Sequence, residues 1–146
     1  MDEKVTWNGG MRFEGSAASG GKVTLGGGDD AGLKPTELVM IGLAGCTAMD
    51  VISILQKKQE AVTAFEVSVQ SSRREDHPRS FTGATVHYKV SGKDVKPESV
   101  ARAVELSSTK YCSVSTTLEK AMPIGFTYSI HDESGTLLHE GRLAEK

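Results

Sequence analysis

Residues 34–59 read KPTELVMIGLAGCTAMDVISILQKKQ, and the fold turns on this stretch. Pro35 suits a first helical turn, where its missing N–H is not needed. Glu37 adds a negative charge near the positive end of a helix, and Lys57 and Lys58 sit where cations are favoured. Between them Leu38, Val39, Met40, Ile41, Leu43, Val51, Ile52, Ile54 and Leu55 point in every direction at helical periodicity. An amphipathic surface helix would keep one polar face, whereas this one keeps almost none. It is therefore expected to be buried on all sides, with the rest of the chain wrapped around it. A helix of roughly 23 residues is about 35 Å long. That is also long enough for a membrane span, but Asp50 falls inside it, and a central carboxylate is costly in a bilayer. The flanking chain reads as α+β, so a core helix without membrane contact is the expected reading.

Outward from this helix, the 146 residues are expected to form one domain. The net charge of −2 argues against an electrostatic nucleic-acid binder. The N-terminal MDEKVTWNGG has no apolar signal region, which leads to the expectation of a cytoplasmic protein. Val5–Trp7, residues 12–17 and Lys22–Leu25 read as three short strands separated by glycine turns. The glycines lack the spacing of a phosphate loop. After the helix, Phe65, Val67 and Val69 alternate with polar residues as a strand does, and residues 85–90 read as a second strand. The charged run 73–79 between them reads as a solvated hairpin end. A second helix is expected from Glu98 to about Lys110, and a third from Ser113 to Met122, stopped by Pro123. Phe126, Tyr128 and Ile130 alternate as a strand, and residues from Leu137 return as a hairpin before a tail, 144–146, expected to fray. Runs of strands and helices segregated in this way indicate α+β.

The four histidines, His77, His87, His131 and His139, have no zinc-ligand spacing, so no metal site is expected. No G-x-S-x-G elbow is present. Cys46 and Cys112 remain, either as inert buried thiols or as redox-active ones. Cys112 falls at the start of a short helix beside Lys110, and both features lower a thiol pKa. Cys46 lies well inside its helix, so a thiolate there would need a cation brought from elsewhere. Asp50 should meet a hydrogen-bond donor or a cation, or lie at an exposed spot on the helix, because an unpaired buried carboxylate is costly.

The segments Pro35-Thr36-Glu37-Leu38, Gly45-Cys46-Thr47-Ala48-Met49 and Cys112-Ser113-Val114-Ser115 resemble those of the OsmC/Ohr family, the osmotically induced and organic-hydroperoxide-resistance proteins. The stretches DVISILQKKQ, SSRREDHPRSF and ARAVELSSTKYCSV resemble its YhfA-like branch. The resemblance implies an intertwined homodimer, with antiparallel sheets around two long central helices and active sites at the interface. It also implies a thiol-dependent peroxidase acting on organic hydroperoxides. Cys46 would be the peroxidatic thiol, Cys112 the resolving one, and Arg12, held by Glu37, the cation on the thiolate. No cofactor is implied beyond an external thiol reductant. The alternative is a non-catalytic stress protein that binds an apolar ligand at the same interface. Here Met11 follows Gly9-Gly10 where the hydroperoxide-resistance branch has its arginine, and Tyr111-Cys112-Ser113 replaces the family's usual Gly-Cys-Pro. Glu37 and Cys46 are nine helical residues apart, about 13.5 Å and half a turn out of phase. A cation held by Glu37 would therefore serve the partner's Cys46.

Overall fold

The computed structural model describes residues 2–144, so most of the expected frayed tail lies outside the described residues. Two compact units form, one over residues 1–40 and one over residues 41–146. The first holds a three-stranded antiparallel meander of β1 (Lys4–Trp7), β2 (Arg12–Ser16) and β3 (Lys22–Gly26). Its β1–β2 turn uses Gly9 and Gly10 at φ of 97° and 57°, a region glycine enters without strain. Helix α1 (Pro35–Lys57) starts in this unit and continues through the second.

The second unit adds a four-stranded sheet in the order β4 (Ala61–Arg73), β5 (Phe81–Lys93), β6 (Ile124–His131) and β7 (Leu137–Arg142). Between β5 and β6 lie α2 (Pro97–Leu106), a π-helical turn (Ser107–Tyr111) and α3 (Ser113–Leu118). The α+β class and the element order agree with the sequence reading. The sheets are antiparallel as expected except at one pair, β5 and β6, which run parallel. A parallel pair needs a long crossover, and the helical segment 97–118 supplies it.

Alternation builds the core. Ala84, Val86, Tyr88 and Val90 of β5 and Phe126, Tyr128 and Ile130 of β6 are buried. Val100, Ala103 and Val104 of α2 are buried as well. From α1 come Leu43, Thr47, Val51 and Leu55, each fully buried and each four residues after the last. Within a single chain the helix is covered on one side. One stripe is buried, while Val39 is 42%, Ile41 50% and Met49 74% exposed. By length and composition α1 is also able to cross a membrane, but its stripe enters a protein core.

The β4–β5 hairpin is far longer than its apolar alternation indicates. Its ladder continues from Gln70↔Thr85 to Arg73↔Phe81 through polar and glycine residues. The turn closes through Arg74 N–H to Ser80 O at 2.9 Å and Arg79 N–H to Asp76 O at 2.8 Å. Arg73 donates to the Arg79 carbonyl and lies over the Phe81 ring, so this arginine braces its own hairpin. Leu43→Ala should cost about 2–5 kcal/mol of stability, the usual range for emptying a filled core position. Urea unfolding monitored by circular dichroism measures it, and a loss below about 1 kcal/mol would contradict the assigned stripe.

Candidate functional site: a cysteine pair

Cys46 sits near the middle of α1, one residue before the buried Thr47, and is half-buried. Cys112 is 1% exposed and is the N-cap of α3. It is held by two backbone bonds. Its N–H donates to the Ser107 carbonyl at 2.9 Å, closing the π-helical turn, and its carbonyl accepts from Thr116 N–H at 3.1 Å. Its sulfur accepts from the Ser115 N–H at 3.3 Å, as an N-cap side chain does. The two cysteines, 66 positions apart in the chain, are free thiols, and Ser113, the residue after Cys112, brings its hydroxyl to Cys46.

The pair is electrostatically unequal. At Cys46, partial burial opposes the thiolate, but three donors outweigh it: the Val114 backbone N–H, the Cys112 S–H and the Ser113 hydroxyl. The thiol is thereby held below its ordinary range, even with Asp50 nearby favouring the neutral form. Ser113 Oγ lies 4.0 Å from Cys46 Sγ. At Cys112 burial is the largest influence and pushes the thiol up; donation to Cys46 and the Cys46 charge push the same way. Cys46 is therefore the sulfur that ionises first, and Cys112 is the proton-bearing partner.

This inverts the sequence expectation for Cys112. Lys110 is adjacent in the chain, but its ammonium lies 5.6 Å above the Tyr111 ring. The start of α3 and its flanking donors act on Cys46 instead. The donors that one chain supplies at Cys46 are neutral. Arg12 pairs with Asp30 at 3.8 Å and is largely exposed. Glu37 accepts from the Lys34 N–H at 2.9 Å, the glutamate half of a capping box. Among the described residues no ion pair joins Arg12 to Glu37. Asp50 has its expected donor, the Ser107 hydroxyl at 3.0 Å. Ser107 and Thr47 were missed from sequence. The available signal was Thr47, one hydroxyl in an aliphatic stripe of i+4 spacing.

A family model described as OsmC-like protein matches residues 27–127. The chain belongs to the OsmC-like protein family. It is 44% identical to Protein YhfA of Escherichia coli (strain K12) over 131 residues, covering 89% of this chain and 98% of that protein. A hypothetical protein from Aquifex aeolicus VF5 superposes with a TM-score of 0.81 at 27% identity, covering 90% of this chain and 96% of that one. The organic hydroperoxide resistance protein OhrB of Bacillus subtilis shares the fold at a TM-score of 0.59 and 18% identity, with coverage of 88% and 98%. Within this OsmC-like chain the serine after Cys112 carries a measurable consequence. The thiolate is the alkylating form, and Ser113→Ala removes one donor to it. The pH midpoint of Cys46 alkylation by iodoacetamide should therefore move upward, and its rate at any pH below the midpoint should fall. An unchanged midpoint, read by mass spectrometry of the Cys46 peptide, would count against the donor role.

Proposed function

We propose that this OsmC-like protein is a thiol-dependent peroxidase that reduces organic hydroperoxides through Cys46, with Cys112 as the resolving cysteine. The observation that carries the reading is the unequal pair: a sulfur biased toward thiolate beside one biased toward thiol. The half-buried Cys46 thiolate attacks one oxygen of the O–O bond, transferring an electron pair to it. That bond breaks, the alkoxide leaves and takes a proton as alcohol, and Cys46 becomes a sulfenic acid. The Cys112 sulfur then attacks the sulfenic sulfur; its proton and the hydroxide leave as water, and a disulfide remains. An external thiol returns the pair to the reduced state. Organic hydroperoxide resistance proteins from Bacillus subtilis and Legionella pneumophila share the fold, which supports this choice of substrate class.

The working form proposed is a homodimer. The exposed Val39, Ile41 and Met49 leave an apolar side of α1 uncovered in one chain, and twofold self-association is the commonest way to cover such a surface. In that assembly Glu37 of one copy, with Arg12, would act at the partner's Cys46; the Lys34 cap uses only Oε1 of Glu37.

Two assays test this. In thiol-coupled consumption of cumene hydroperoxide, Cys46→Ser should abolish turnover, and Cys112→Ser should stop after one equivalent with a sulfenic acid on Cys46. Full turnover by Cys46→Ser would end the peroxidase reading. Mixing inactive Glu37→Ala and Cys46→Ser proteins under subunit exchange should restore one working site of the two; no recovery, with exchange verified, would exclude the shared site.

A further inference from the structure

A chain of hydroxyls lies beneath the cysteine pair. Thr47 Oγ1 is 2.6 Å from the Tyr88 hydroxyl and 2.7 Å from Ser107 Oγ. Ser107 Oγ in turn donates to Asp50 Oδ2 at 3.0 Å. Thr47, Ser107 and Tyr88 are all fully buried. We infer that the chain Tyr88–Thr47–Ser107–Asp50 is a positioning device that holds Cys46 and Cys112 in register, with Ser107 as its fixed point. The inference rests on the thiol reading above and adds to it the residues that set the geometry of the pair.

Ser107 is tied to both cysteines at once. Its hydroxyl meets Thr47, the residue bonded directly to Cys46 in the chain. Its carbonyl accepts from the Cys112 N–H at 2.9 Å. That second bond spans five residues and makes the turn a π-helical one, a rare geometry that concentrates at functional sites. A regular α-helical continuation would pair Cys112 with the next carbonyl and rotate it by about 100° about the helix axis. The direction in which Cys112 faces therefore depends on Ser107, and Ser107 is anchored to α1.

The chain has one satisfied arrangement. Ser107 donates its single hydroxyl proton to Asp50. Ser107 must then accept from Thr47, and Thr47 must accept from Tyr88. Burial raises the Tyr88 phenol well above its ordinary range, so it remains a donor. Three elements, β5, α1 and the π-helical turn, are thus joined by bonds whose donor order is fixed. A buried network with every member satisfied specifies one arrangement more sharply than apolar packing does. Closing a disulfide demands that specificity, because the sulfurs must reach bonding distance with a restricted dihedral angle.

The test is thiol–disulfide exchange of the full-length protein with mixtures of reduced and oxidised dithiothreitol. Cys46 and Cys112 lose two electrons and two protons, and the cyclic disulfide of oxidised dithiothreitol takes up both. The fraction of Cys46–Cys112 disulfide is read by mass spectrometry after alkylating the remaining thiols. Thr47→Val and Ser107→Ala should each lower the exchange constant by about tenfold, which is about 30 mV for this two-electron couple. Thr47→Ser and Ser107→Thr, which keep a hydroxyl, should stay within about threefold of the unaltered protein, a margin under half the expected shift in logarithmic terms. Where the first two variants fail to fold, Tyr88→Phe, which removes only the head donor, should shift the constant in the same direction. Melting curves recorded in parallel report stability, which by itself does not move this constant. Folded variants with an unchanged or raised constant would overturn the inference, as would an unaltered protein that forms no Cys46–Cys112 disulfide. The readout uses no hydroperoxide. A protein that shows the predicted shifts but consumes no hydroperoxide would lose the peroxidase reading and keep the positioning device.

Discussion

The second unit depends on the burial of one stripe of α1. Leu43, Val51 and Leu55 contribute aliphatic surface to the core, each worth about 1.5–3 kcal/mol when fully removed from water. Thr47 lies in the same stripe and brings a hydroxyl into that core. It is hydrogen-bonded on both sides, so its burial does not incur the penalty of an unsatisfied polar group. Because Thr47 is fixed, its neighbour Cys46 is held at the rim of the core, half-buried and within reach of the α3 segment. The location of the Cys46 sulfur is thus a consequence of packing.

From that position the thiolate is supported by neutral donors. Backbone N–H groups, hydroxyls and thiols directed at an anion act most strongly where water is partly excluded. Between the lowered midpoint of Cys46 and the raised one of Cys112, the site carries one charge and one proton. Acidification below the Cys46 midpoint protonates Cys46, while alkalinisation above the Cys112 midpoint removes the remaining proton and sets two like charges side by side. The pH window of the pair is therefore bounded by its two members, in the manner of any coupled pair of titrating groups.

Much of the fold was legible in the sequence. Pro35, Glu37 and Lys57 bracket α1 as the structure has it, and alternation located the inward face of β6 and the less exposed face of β4. The β4–β5 hairpin ran longer than expected because residues such as Gln70, Ser71 and Ser72 face water, where no apolar period marks a strand. The π-helical turn left no local trace, since its defining bond depends on where Ser107 is anchored. At the site, the residue types were legible and the electrostatics were not. Lys110 is a neighbour of Cys112 along the chain, yet its ammonium rests over Tyr111. Val114 and Ser113 lie far from Cys46 in sequence, and only the folded crossover brings them to its sulfur. Arg12 and Glu37 have partners of their own within the first unit, Asp30 and the Lys34 N–H. Their proposed part in the chemistry therefore rests on assembly.

The central claim is that Cys46 and Cys112 act as one redox unit. The most direct measurement is intact and peptide mass spectrometry of the reduced protein after one equivalent of cumene hydroperoxide. The predicted result is the loss of two hydrogens, with Cys46 and Cys112 recovered in a single cross-linked peptide pair. Two thiols that both remain open to alkylation, or an oxygen that stays on Cys46 while Cys112 is intact, would contradict the account.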